Sequence, residues 1–405
     1  MHTFNPKEII PSAYVGREQA YIKHLLLAGY LERLLYIIGW NASKLGHSEV
    51  IYVDCFAGPW QDISEDLSAT SIGISLQLLS KVQTDLLVAG RNVKFKAIYV
   101  EKDQKAFSRL TAYLASNSPE NVYTESMKGD FCQLVPQIAE KCAGDSFAFF
   151  FIDPKGWSTV KPSILDVLLT RPRSEFLINF MYDFINRTVT MTQLRSEITA
   201  LFDRSVDIQE LPLEAGVREI KILEMYRSAI VARANSEKYK ALSGYVTILD
   251  PVKNRTKYHL VYLTRHPLGI IKFMEQSEKL HPIQTTVRAA AKLNMKNEKS
   301  GMKDMFGIDA DQTLDTDKST DEIENYWIKL FESGPLVITQ EVLANALSVT
   351  NAFPSDMQRA FGNLIAAGKI ENLDADISRR RTKLFDYEKK ERWALVNSLS
   401  SVLFP

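Results

Sequence analysis

The sequence predicts an α/β protein: a mostly parallel sheet covered by helices on both faces, followed by a smaller C-terminal unit. Three observations predict it. Short apolar runs alternate with helical patterns from about residue 50 to residue 180. The strongest run, Phe147-Ala148-Phe149-Phe150-Phe151-Ile152-Asp153, is continuous, as in a strand buried on both faces. From Ile323 onward, three helical patterns precede two short β-like pieces.

Each element has its own justification. Residues 16–40 read as one helix, with Leu26, Tyr30, Leu34 and Ile38 at helical spacing, and Asn41 to Gly46 read as its breaker. Strands are expected at Val50–Asp54, Phe95–Glu101, Val122–Glu125, Phe147–Asp153 and Phe176–Phe180, with helices around Ile72–Leu79 and Ala106–Leu114 between them. A polar helical insertion, about residues 188–236, interrupts the alternation. Tyr245–Leu249 and Tyr258–Leu263 flank a short turn-rich connection and should pair antiparallel, giving seven strands in all.

Residues 286–322 read as a linker. Arg288, Lys292, Lys296, Lys299 and Lys303 make its first half basic, and Asp309, Asp311, Asp315, Asp317 and Asp321 make its second half acidic. The main domain is therefore expected over 1–285 and a separate domain over 323–405. In the latter, Thr339 caps one helix, Pro354 opens another and Gly368 ends it. Helix, helix, helix and β-wing is the winged helix-turn-helix order. Arg379, Arg380, Arg381 and Lys383 cluster between the two β-like pieces, where they could contact phosphates.

Composition narrows the function classes. With 405 residues, 45% of them apolar, the chain can bury a large core, so disorder is excluded as its main state. Lys plus Arg and Asp plus Glu both number 49, which excludes a globally basic nucleic-acid binder but not a local basic patch. Cys55, Cys132 and Cys142 are too few and too scattered for a disulfide framework or a four-thiolate zinc site, and suit a reducing cytoplasm. The N-terminus lacks a secretion signal. Leu25 to Trp40 comes nearest to a membrane span, and Glu32 and Arg33 interrupt it. A cytoplasmic protein without membrane contact is expected, and no His, Cys or carboxylate cluster has metal-ligand spacing.

In an open parallel sheet, ligands bind at the carboxyl ends of strands, so the residues after each strand are the candidates. The first strand ends Asp54-Cys55-Phe56-Ala57-Gly58-Pro59-Trp60. Its single glycine, Gly58, lets the backbone approach a ligand, but the Gly-rich diphosphate fingerprints are absent. A nucleoside ligand lacking phosphate fits better. Glu101 ends the second strand, where an acid commonly accepts from ribose hydroxyls. Asp130, in Lys128-Gly129-Asp130-Phe131, can accept from an adenine amine or simply cap a helix, and Phe131 can lie against the ring. The fourth strand opens into Asp153-Pro154-Lys155-Gly156-Trp157. The Asp153 carboxylate and the Pro154 carbonyl could orient a target amine, with Trp157 as a stacking surface. After the fifth strand, Asn179 and Asp183 are polar groups in an apolar context, and Arg187 could pair with a phosphate. His24 reads as a surface or boundary residue, and Cys55 and Cys132 as small filler.

In this order, these features resemble the Rossmann-like S-adenosylmethionine-dependent methyltransferases. More narrowly, the chain is similar to the three-Cys-motif partner protein (TcmP) family of bacteria over about residues 15–285. The similarity rests on Lys23-His24 with the Tyr30-Leu31 helix, Val53-Asp54-Cys55-Phe56-Ala57-Gly58-Pro59, Phe151-Ile152-Asp153-Pro154-Lys155-Gly156-Trp157, and Leu263-Thr264-Arg265-His266-Pro267 with Met274. The resemblance implies a seven-stranded sheet and S-adenosylmethionine as cofactor, held by Asp54, Phe56, Gly58, Glu101, Asp130 and Phe131. It also implies a partner, a radical-enzyme-like protein with three cysteines; the three cysteines of this chain are a coincidence. Asp153 and Pro154 match the start of the Asp-Pro-Pro-Tyr motif of amine methyltransferases acting on nucleic acids. Lys155 replaces the second proline, Gly156 the aromatic, and Trp157 is displaced by one. The function expected is methyl transfer to an amine on nucleic acid. The alternative is a catalytically degenerate module that binds DNA or a neighbouring protein through its winged helix.

Overall fold

The computed structural model describes residues 9–46, 49–58, 67, 69–189, 191–300, 319–375 and 383–396. Helix α1 (Glu18–Leu45) is followed by β1 (Glu49–Asp54), α2 (Ser71–Val88), β2 (Lys94–Glu101), α3 (Gln104–Asn117), β3 (Val122–Lys128) and α4 (Phe131–Lys141). Then come β4 (Phe147–Ile152), α5 (Pro162–Leu169), β5 (Ser174–Phe180), α6 (Tyr182–Thr188), α7 (Arg195–Phe202), α8 (Ala215–Ala234), β6 (Leu242–Leu249), β7 (Thr256–Thr264) and α9 (Pro267–Ser300).

The seven strands form one sheet in the order β3-β2-β1-β4-β5-β7-β6. β1 pairs in parallel with β2 and β4, and β7 pairs antiparallel with both β5 and β6. Strand order therefore reverses between β1 and β4, which opens a crevice beyond their carboxyl ends.

The period-2 alternation of each strand sorts its residues onto two different faces. One face carries Ile51, Val53, Ile98, Phe150, Ile152, Phe176, Ile178 and Val261 in a large apolar cluster. The other is aromatic and partly polar, because Tyr52, Tyr99, Phe149 and Tyr262 lie there with Tyr30 of α1. Tyr52 stacks on Phe149 at 6.2 Å, and Tyr30 meets Tyr262 edge-on at 5.0 Å.

Three expectations need correction. α1 continues through Leu45, because Asn41 to Leu45 contains neither glycine nor proline; Gly46, at φ 65, is what stops it. Residues 286–300 are helical rather than an extended linker. Arg288 is buried and donates to the Asp250 carbonyl at 3.0 Å, while Gln284 donates to and accepts from the backbone of β6. His24 is buried rather than at the surface and shares a 2.9 Å hydrogen bond with Tyr14 Oη.

The chain divides into two compact units, the second drawing on the first turns of α9 and on the C-terminal elements. These are α10 (Thr320–Phe331), α11 (Gln340–Thr350) and α12 (Pro354–Ala366), with β8 (Leu336–Val337), β9 (Ile370–Asn372) and β10 (Arg392–Leu395). The strands form an antiparallel sheet in the order β8-β10-β9. Trp327, Phe361, Phe385 and Trp393 build an aromatic core, with Phe361 4.7 Å from Trp393. Thr339 caps α11 through Val342 N, and Gly368 stands just beyond α12 at φ 64. Arg379, Arg380 and Arg381 lie outside the described residues; Lys383 is exposed.

Candidate functional site

Asp54, Glu101, Asp153 and Asn179 follow Tyr52, Tyr99, Phe151 and Leu177 by two residues, so all four project on the aromatic face at the carboxyl rim. Asp54 and Asp153 stand on either side of the crevice where strand order reverses.

Asp54 is fully buried. Its Oδ1 accepts from Phe56 N at 3.1 Å and its Oδ2 from Ser71 Oγ at 2.6 Å, at the start of α2. Burial pushes its carboxyl from 3.8 up to about 6; the bonds from Ser71 and Phe56 pull the other way, the nearby Asp153 charge adds to the rise and Lys23 opposes it. The loop after Asp54 is pinned across the neighbouring strands, with Cys55 N donating to Phe151 O at 2.9 Å and Ala57 N to Val100 O at 2.8 Å. Gly58 closes a tight turn onto Phe56 O at 2.9 Å.

Glu101 is buried at the end of β2 and accepts from Asp103 N at 2.7 Å; among the described residues, its second carboxylate oxygen has no partner. Asp130 caps α4, accepting from Cys132 N at 2.9 Å, with Lys102 Nζ 3.5 Å from its other oxygen. Phe131 does not offer an open ring face. It is 2% exposed and packs under Phe56, their ring centres 5.1 Å apart, because it faces inward in the first turn of an amphipathic helix. Phe56 is the half-buried member of that pair.

Asp153 is held from two sides. Lys23 Nζ of α1 makes an ion pair with Oδ2, and Asn179 Nδ2 donates to Oδ1 at 2.7 Å. The Lys23 and Asp153 side chains are 12% and 20% exposed, so the pair is reachable from outside. Among the described residues, Asn179 Oδ1 is buried with no hydrogen-bond partner. Pro154 is buried, and Trp157 is half-buried against the apolar cluster. Arg187 is engaged within the chain, bonded to Asp183 and stacked on Phe184. Cys55 and Cys142 are buried free thiols, raised by burial.

Lys23 is the site residue that motif reading passed over as chemistry. It sits 130 residues from Asp153 in the chain, on a helix marked in the sequence by its apolar stripe. Its signals were a lysine beside the apolar stripe of α1 and its place in the Lys23-His24 pair that carries the family resemblance.

The strand order, with β7 alone antiparallel to its neighbours, defines a Rossmann-like doubly wound sheet that carries carboxylates along its carboxyl rim. No family model matches the sequence, and no curated protein matches it. Among solved structures, the chain is similar to the O-methyltransferase TomG from Streptomyces achromogenes, involved in tomaymycin synthesis and solved in complex with SAM. Identity there is 12%, over 58% of this chain and 79% of that one, with a TM-score of 0.30. It is also similar to an O-methyltransferase from Bacillus cereus in complex with SAH, at 13% identity over 65% and 93% of the two chains and a TM-score of 0.31. A third is M. jannaschii TYW2 in complex with AdoMet, at 15% identity over 56% and 76% and a TM-score of 0.27. Among the described residues, no helix is long and apolar enough to cross a membrane, and no group of three His, Cys, Asp or Glu residues could hold a metal ion.

Proposed function

We propose that the chain is an S-adenosylmethionine-dependent methyltransferase that transfers a methyl group to an amine on nucleic acid. The observation that carries this reading is the set Asp54, Glu101, Asp153 and Asn179 on one face around the crevice between β1 and β4. The residues present fit the cofactor by their chemistry. Among the described residues, Glu101 keeps one carboxylate oxygen unbonded for ribose hydroxyls, and the pinned loop at Phe56 and Gly58 forms no diphosphate cradle. Asp54 and Asp130 would border the cofactor, and Phe56, with Phe131 beneath it, would supply the apolar wall.

When bound, S-adenosylmethionine supplies the methyl carbon, whose bond to sulfur breaks as the bond to the acceptor nitrogen forms, leaving the electron pair on sulfur. The chain aligns and desolvates the acceptor. Asp153 and the Pro154 carbonyl accept the amine N–H groups and aim its lone pair, and Asp153 takes the proton that the methylated nitrogen sheds. Trp157 would lie against the base. Alignment of this kind provides most of the acceleration in a direct transfer. Nucleic acid would also be held by a winged helix in the C-terminal unit, through Arg379, Arg380, Arg381 and Lys383.

The test is calorimetry of the full chain with S-adenosylmethionine. Binding is expected, weakened about tenfold or more in Glu101→Ala, which loses charge-assisted bonds; a wild-type chain that fails to bind the donor overturns the proposal.

One observation favours a second reading, a degenerate site serving a neighbouring three-Cys-motif protein. Both Asp153 oxygens already carry bonds, from Lys23 and Asn179. Donor binding without transfer of a labelled methyl group to DNA or RNA would select it.

A further inference from the structure

Lys23 and Asp153 place a hydrogen-bond donor beside an acceptor at the mouth of the crevice. An ionised carboxylate has about four lone-pair positions, and Lys23 and Asn179 use one on each oxygen, which leaves room for a further donor on each. An ammonium has three N–H donors, of which Asp153 takes one. The Tyr258 ring lies 5.8 Å from Lys23 Nζ, a cation–π distance that helps to hold the ammonium in place. The pair thus presents one acceptor and one donor side by side, on a helix and a strand end that packing keeps rigid.

We propose, resting on the methyltransferase reading above, that Lys23 selects the methyl acceptor. Asp153 receives the exocyclic N–H while Lys23 donates to an unprotonated ring nitrogen next to that amino group. The acceptor is then a nucleobase whose pairing edge sets an amino group beside a bare ring nitrogen, adenine or cytosine; the bare N3 of guanine also flanks its amino group but lies on the sugar side, away from that edge. Guanine puts an N–H beside its amino group on the pairing edge, and thymine has no amino group. An alkylammonium such as a lysine side chain would bring a like charge against Lys23.

The test measures binding by anisotropy, with the full chain and labelled single-stranded oligonucleotides carrying one central adenine, 1-deazaadenine, 7-deazaadenine or guanine among thymines. Adenine and 7-deazaadenine are expected to bind about tenfold tighter than guanine and 1-deazaadenine, the size of one well-made base contact. Lys23→Met should erase that difference and Lys23→Arg should keep it. Equal binding of adenine, both deaza analogues and guanine by the wild-type chain overturns the assignment, even if Lys23→Met fails to fold. So does methyl transfer to guanine, or to a glutamine-bearing peptide in preference to the adenine oligonucleotide. Calorimetry with S-adenosylmethionine on the same samples separates the two proposals. Donor binding without base discrimination sinks only the role of Lys23, whereas loss of donor binding sinks the methyltransferase reading itself.

Discussion

Two carboxylates on the same face of the sheet meet opposite treatment. Asp153 stands at the rim, level with Asn179. Glu175 lies on β5 four residues below Asn179, about 13 Å deeper at the rise of a strand. Both are met by α1, through Lys23 and Tyr30, which are seven residues or two turns apart on one side of the helix. At the rim the helix offers an ammonium and some access to water. At depth it offers a hydroxyl: Tyr30 donates to Glu175 Oε2 at 2.7 Å, Thr264 donates to Oε1 at 2.9 Å, and Tyr262 closes the cluster. Burial raises the Glu175 carboxyl above its ordinary range, and the bonds from Tyr30, Tyr262 and Thr264 oppose that rise. Partner chemistry thus decides the use of each acid. A carboxylate paired with a cation near solvent is available to a ligand; one sealed among hydroxyls is an architectural element.

The largest expected effect comes from breaking the rim. Asp153→Ala leaves the half-sheltered Lys23 ammonium and the Asn179 amide without their partner, and should cost about 3 kcal/mol in urea unfolding along with any methyl transfer. At the deep site, Tyr30→Phe removes one donor from a fully buried carboxyl and should cost about 1–3 kcal/mol, with no change in donor binding. A loss of donor binding in Tyr30→Phe would show that the two ends of the face are not functionally separate.

The remaining effects are in pH dependence, and they share a sign. Glu175 and Asp54 both hold protons more tightly when folded than when unfolded, so the native chain binds more protons and stability falls as pH rises. For Asp54 the fall runs from about pH 4 to about pH 6, the interval between its unfolded and folded values. For Glu175 it begins in the ordinary glutamate range and continues upward. Asp54→Asn should flatten the profile of unfolding free energy in the first interval, and Glu175→Gln above it. Unchanged profiles would mean that water reaches both groups.

The sheet was legible because buried strands are written as apolar runs. All seven expected strands overlap the observed ones, and β4 differs only at Asp153, which lies just past the last paired residue. The rim acids were legible by the same rule, since a polar residue ending an apolar run marks a strand's carboxyl end. Phe131 was misjudged because a ring beside a capping aspartate reads the same whether it faces a ligand or the core; only the phase of α4 decides. Lys23 could not be read as Asp153's partner, because nothing local records a contact made by folding α1 across the sheet. The hydroxyl cluster around Glu175 was equally hidden, being assembled from α1, β5 and β7.

Helix α1 touches both ends of the aromatic face, and that makes it a gauge of fixed length. A single residue inserted between Lys23 and Tyr30 would turn one relative to the other by about 100°, so whichever acid kept its mate, the other would lose it. Loops elsewhere can lengthen at little cost, but those two helical turns are bound to one count.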